Sequence, residues 1–254
     1  MLVRPKEVCG SGVTTIMENT DSGVLNVSAG VVIVAAGTSS RMEGTDKIFV
    51  ELGAQPLIAH TIDAFEQCSY IQSIVLVVGQ GQGLWDAGKL VDERTYWNKI
   101  RSIQVGGPRR QDSVAIGLEA LPPCEWVIVH DGARPLIEPE IIRRGLEVAV
   151  NTGTAVAAVP VKDTIKLVNQ EHEVVDTPDR SGLWLAQTPQ IFRRDLLERA
   201  HTEILEDVPD DAAMVARLGF PVKIFMGSYR NIKITTVDDL ALASVLLQTD
   251  QVDK

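Results

Sequence analysis

The residues best suited to chemistry lie in the stretch VVIVAAGTSSRMEGTDK, residues 31–47. Ala35, Ala36 and Gly37 carry almost no side chain, so a ligand can come close to their backbone amides. Thr38, Ser39 and Ser40 add hydroxyls, and Arg41 and Lys47 add two cations. Small residues, open amides and positive charge after an apolar strand describe a loop that holds a polyphosphate. The spacing is neither that of the G-x-x-x-x-G-K-[ST] loop nor that of the G-x-G-x-x-G fingerprint. An ordinary strand-to-helix loop with two solvated cations is the competing reading.

Two further segments carry residues of the same kind. Gly106-Gly107 follows a short apolar run, with Ser113 shortly after it, and Asp131 follows the run WVIV in the sequence HDGARP. These segments need a scaffold that brings them to one edge. Residues 31–34, 73–78, 103–105, 126–129 and 155–159 read as short buried strands. Helical periods lie between them, one started by Pro56, one within 80–100, one over 111–121 and one over about 139–151. Strands alternating with helices predict an α/β fold with a doubly wound, mostly parallel sheet, whose ligands bind at the carboxyl ends of the strands. The glycine loop, Gly106-Gly107 and Asp131 all fall at such ends.

From about 160 to 182 the pattern changes. VKDTIKLV and HEVVDT, around Asn169-Gln170, predict a protruding antiparallel β-arm that is not apolar enough to stand alone. Such an arm wants a partner, and a second copy of the chain is the natural one. Helices near 193–205 and 211–218 and a strand at 222–225 follow. A final helix over about 237–247 is capped by Thr235 or Thr236.

Composition excludes some classes. The chain has 254 residues and a net charge of -10, which argues against sequence-independent nucleic-acid binding. No apolar run reaches transmembrane length. Cys9, Cys68 and Cys124 are widely spaced and offer no metal motif, which fits a reducing cytoplasm. Residues 1–28 read as a poorly ordered extension ahead of a single domain over 29–254.

In order along the chain, AAG-x-x-x-RM at 35–42, HDGARP at 130–135, VKDTIK at 161–166, LW-x-AQTPQ at 183–190 and NIKIT at 231–235 resemble the 2-C-methyl-D-erythritol 4-phosphate cytidylyltransferases. That resemblance implies a Rossmann-like nucleotidyltransferase that moves CMP from CTP onto methylerythritol phosphate, with Mg²⁺, and releases pyrophosphate. It implies that Arg41 and Lys47 stabilise the transition state. Arg180 and Lys233 then position the second substrate, with Thr164 and Thr188 touching it. Ala35, Ala36, Gly37, Gly107 and Ser113 would contact the nucleotide, and Asp131 would stand at the metal and ribose side. It also implies a homodimer whose arm crosses to the other subunit. Ser39, Asp46, Pro108 and Pro209 depart from the family's usual residues, which bears on specificity. A ribitol-5-phosphate cytidylyltransferase, or a dimeric nucleotide-binding module without turnover, are the rival expectations.

The chemistry is compatible with these residue types. A phosphate monoester has a second pKa of about 6, so the nucleophile is already largely dianionic near neutral pH and needs no general base. The difficulty is holding two polyanions together, which fixed cations, amides and a metal relieve. Arg134 reads equally well as an ion-pair partner of Asp131, and His130 as a packed, satisfied imidazole.

Overall fold

β1 (Ala29–Ala35) is buried along nearly its whole length, and its side chains alternate between two cores. Val31 and Ile33 face one core and Val32 the other. The structure, a computed structural model, describes residues 27–37 and 47–252, without the side chains of Lys47 and of 250–252. Arg41, with the rest of 38–46, and residues 1–26 of the expected extension lie outside the described residues.

After a 3-10 turn at Lys47–Phe49 come β2 (Glu51–Leu52), β3 (Gln55–Pro56) and α1 (Leu57–Gln67). Then follow β4 (Ile71–Val78), α2 (Gln82–Glu93), β5 (Ile100–Val105), α3 (Arg110–Ala120), β6 (Trp126–Asp131), α4 (Pro139–Thr152) and β7 (Thr154–Pro160). The second half holds β8 (Leu167–Val168), β9 (Val174–Asp176), β10 (Trp184–Arg193), α5 (Arg194–Glu203), α6 (Asp211–Arg217), β11 (Ile224–Met226) and α7 (Val237–Val252). Seven strands form one sheet in the order β11-β7-β10-β6-β1-β4-β5. β10 runs antiparallel to β6 and β7, and the other pairings are parallel.

Helices cover both faces, as the alternation of strands and helices predicts. Ile58, Ile62 and Phe65 of α1 pack with Ile141, Ile142 and Leu146 of α4 on one face. Val114 and Leu118 of α3, Leu196 and Leu197 of α5, and Met214 and Val215 of α6 fill the other. α4 stops at Gly153, whose φ of 82° is open to glycine at little cost. α7 starts where Asp239 accepts the N–H groups of Thr235 and Thr236, while the Asp239 N–H donates to the Thr236 hydroxyl.

One central strand has no counterpart in the sequence reading, and one expectation needs correction. Residues 184–193 form a single central strand, which the polar run Gln187–Gln190 and Pro189 hide from a reading by alternation. Its register shifts between Ala186 and Gln190, so these residues bulge out of the ladder while staying buried. The arm is also less regular than predicted. Only Leu167–Val168 and Val174–Asp176 pair, across a turn in which Asn169 Oδ1 accepts the N–H groups of Glu171 and Glu173. Residues 161–166 run without ladder partners. The arm exposes Leu167, Val168, Val174 and Val175.

Candidate active site

A cleft of about 480 Å³ opens at the carboxyl ends of β1, β5 and β6. Its wall includes Val34, Ala35, Ala36, Gly37, Gly107, Arg110, Ser113, Asp131 and Lys233. The three segments that the sequence predicts at one sheet edge therefore meet in one place.

Close packing shapes one side of the cleft. A Cβ on Gly106 would come within 2.2 Å of Ala36 Cβ and 2.7 Å of Ser113 Oγ. Only glycine lets the end of β5 lie this close to the loop after β1. The Ser113 hydroxyl donates to the Arg109 carbonyl at 3.2 Å, which ties α3 to the chain that enters it. Asp112 accepts the Arg109 N–H at 3.1 Å, and Arg109 also forks onto its carboxylate.

β6 delivers Asp131 to the cleft, and three cations converge on it. Lys233 Nζ lies 2.8 Å from Oδ2, Arg110 Nε 3.2 Å from Oδ1, and Arg134 Nε 3.8 Å from Oδ2. Burial alone would push this carboxyl up, but Arg110 and then Lys233 hold it well below the usual carboxylate range. Arg110 also reaches Asp211, with Nη1 2.7 Å from Oδ2. Burial works against the guanidinium, yet Asp211 and Asp131 raise its pKa above the ordinary value.

The Lys233 segment is fixed at several points. The Ile234 N–H donates to the Ala133 carbonyl at 2.8 Å, and Arg134 Nη1 donates to the Asn231 carbonyl at 2.8 Å. Asn231 is fully buried, and its Nδ2 donates to the Thr188 carbonyl at 2.8 Å. Ile234 points into the core while Lys233 stays 41% exposed at the cleft.

Thr188 does not line the cleft. It is buried, and its hydroxyl accepts the Asp131 N–H at 3.0 Å and lies 3.1 Å from His130 Nδ1. The Arg134 carbonyl, 3.3 Å from Nε2, can only accept, so the neutral ring carries its proton on Nε2 and Nδ1 accepts from the Thr188 hydroxyl. In this position Thr188 supports Asp131 from behind the cleft. His130 is buried, and burial pushes its pKa down to about 3, so the ring is a neutral structural group. Arg134 makes the ion pair that the sequence allows for.

Arg180 and Thr164 sit on the exposed arm and do not line this cleft. Arg180 Nη1 donates to the Lys162 carbonyl. Lys47 opens the 3-10 turn Lys47–Phe49. The sequence alone assigns Arg110 and Asp211 no role. Their one signal is position: Arg110 ends the Pro-Arg-Arg run that directly follows Gly106-Gly107, and Asp211 starts a helix.

Among the described residues no group of three or more His, Cys, Asp or Glu could hold a metal. Mg²⁺ needs less, because one or two carboxylates suffice when substrate phosphates supply the remaining oxygens. Asp131, a carboxylate held ionised beside an open cleft, suits that role. The cleft lining combines the small residues Ala35, Ala36 and Gly37 with the cations Arg110 and Lys233, a combination chemically suited to phosphate charge.

Comparison with known proteins agrees. A family model for 2-C-methyl-D-erythritol 4-phosphate cytidylyltransferase matches residues 29–249. The enzyme of that name from Dehalococcoides mccartyi is 49% identical over 224 residues, 88% of this chain and 98% of the relative. One from Alkaliphilus oremlandii is 46% identical over 225 residues, 86% of this chain and 94% of the relative. The crystal structure of the Thermus thermophilus cytidylyltransferase superposes with a TM-score of 0.70 at 32% identity, covering 87% of this chain and 98% of that one. That of 4-diphosphocytidyl-2C-methyl-D-erythritol synthase from Anaerococcus prevotii gives 0.77 at 28% identity, covering 87% and 96%.

Proposed function

The chain belongs to the 2-C-methyl-D-erythritol 4-phosphate cytidylyltransferase family, whose reaction is CTP-dependent cytidylyl transfer in isoprenoid biosynthesis, and we propose that its transfer takes place in the cleft beside Asp131. The observation that carries this reading is the convergence of Lys233 and Arg110 on Asp131 at the mouths of β1 and β6.

In this reading the amides of Ala35, Ala36 and Gly37, with Arg41 and Lys47 beyond them, take the triphosphate. Gly107 and Ser113 face the cytidine. The 4-phosphate of the acceptor enters beside Lys233, and its oxygen attacks the α-phosphorus in line as pyrophosphate departs. No proton has to be removed first. Lys233 leaves one carboxylate oxygen for a phosphate oxygen, a small movement for a long flexible side chain. Asp131 would hold Mg²⁺, which supplies charge neutralisation on the nucleotide phosphates when bound.

The arm completes the site in trans. Exposed Leu167, Val168, Val174 and Val175 favour burial against a second copy, and a homodimer would bring Arg180 and Thr164 of one subunit to the acceptor phosphate in the other. Cys68 and Cys124 are free thiols, as expected of a protein working in the cytoplasm.

The test is direct. Purified protein with CTP and Mg²⁺ should release pyrophosphate when methylerythritol phosphate is added and should do so far more slowly with ribitol 5-phosphate. Binding of CTP without product over long incubation would reject the reading.

A further inference from the structure

Arg110 stands between two carboxylates that belong to different parts of the fold. Its Nε lies on Asp131 at 3.2 Å and its Nη1 on Asp211 at 2.7 Å. Asp211 is 1% exposed at the first residue of α6, and its other oxygen lies 3.0 Å from His201 Nε2 in α5. A buried carboxylate is costly unless it is paired, so this position has a reason to hold a charge. Capping α6 is not that reason, because Asp210 already accepts the Ala213 N–H at 2.8 Å. Packing is not the reason either, since an apolar residue would fill the space without a charge to satisfy.

A guanidinium is planar, so fixing Nε and Nη1 fixes the whole fork. The Nη2 atom makes no hydrogen bond among the described residues, and Arg110 forms part of the cleft wall. We propose that Asp211 is a positioning residue for the transfer: it orients Arg110 so that Nε occupies Oδ1 of Asp131, Oδ2 is left clear of Arg110, and Nη2 is kept for an anionic oxygen of the nucleotide. Arg110 then belongs to the substrate-binding set, and Asp211 acts through it. The assignment rests on the cleft being the transfer site, as argued above.

The experiment compares Asp211→Asn, Arg110→Gln and the double variant with the unaltered chain, by steady-state pyrophosphate release and by urea unfolding. Asp211→Asn should lower kcat about 10–100-fold, the range typical when an outer partner of a working side chain is lost. The double variant should lose no more than Arg110→Gln alone, since both changes remove one function. Multiplying losses, or an Asp211→Asn enzyme with unaltered kcat and KM, would overturn the proposal. A readout independent of the folding of Asp211→Asn is chemical rescue of Arg110→Ala. Millimolar guanidinium, which can bridge both carboxylates, should restore activity where methylammonium does not. Equal rescue by both, or by neither, would also overturn it. An unaltered chain that releases no pyrophosphate would sink the reading of the cleft itself, whereas an active chain indifferent to these changes sinks only the role of Asp211.

Discussion

Lys233 Nζ lies 2.8 Å from Asp131 Oδ2, so the cation best placed to meet an incoming phosphate is parked on a carboxylate one strand-end away. The pair keeps the ammonium in place while the cleft is empty. Its loss should cost the fold little, because the Lys233 side chain is 41% exposed and Arg110 and Arg134 still pair with Asp131 without it. Lys233→Met should therefore lower kcat/KM by about 10²–10³, the scale of one lost charge-stabilising contact. The urea midpoint should barely move. Comparable losses in activity and stability would mean that Lys233 holds the segment together rather than serving the substrate.

His130 makes the protein acid-sensitive in a defined window. Its pKa falls to about 3 in the folded chain because the ring is buried, against about 6.5 when unfolded. The unfolded state thus binds the extra proton first as pH drops. Stability from the neutral ring is complete above about pH 6.5 and drains away toward pH 3, at no more than about 1.4 kcal/mol per pH unit. His130→Gln should cost stability at pH 7, where hydrogen bonds to Thr188 and Arg134 are disturbed. It should also flatten the decline between pH 6.5 and 4. Parallel denaturation curves for the two proteins across that range would refute the assignment.

How much of this was legible in the sequence varies by residue. Asp131 could be found because it ends an apolar strand, and strand ends of a parallel sheet face the ligand. Arg110 could not, since it stands beside Arg109 with nothing local to separate them. The fold alone turns Arg109 out to Asp112 and Arg110 in to Asp131 and Asp211. β10 was hidden for a related reason. Gln187 and Gln190 look like loop residues until Gln187 is seen donating to the Ser228 carbonyl and Gln190 to Asp210. Both partners come from later in the chain, beyond the reach of any local pattern. Strand ends slipped by a few residues because pairing sets them: β5 begins at Ile100, opposite Ile74.

Gly106 tests whether the close approach of β5 to the segment after β1, the proposed triphosphate site, matters. A methyl group would meet Ala36 Cβ at 2.2 Å, well inside contact distance, and neither strand end can yield easily. Gly106→Ala should push Ala36 away and weaken CTP binding by tenfold or more, with a stability loss of about 1–3 kcal/mol from overpacking. Calorimetric titration with CTP measures the first effect and urea unfolding the second. Unchanged CTP affinity would show that the loop tolerates displacement and that the glycine serves packing alone.

The arm gives the most discriminating test, because it asks which chain supplies which residue. In the proposed dimer each site takes Lys233 from one subunit and Arg180 from the other. Arg180→Ala and Lys233→Met homodimers should both be nearly inactive. A mixed dimer would carry one site with both defects and one with neither. After subunit exchange at equal concentrations half the dimers are mixed, so activity should recover to about a quarter of the unaltered level. The same mixing with Val175→Asp added to both chains should fail, since a charge on an exposed apolar face of the arm opposes its burial. Sites built within one chain predict no recovery at all, because every chain in the mixture would still carry one defect.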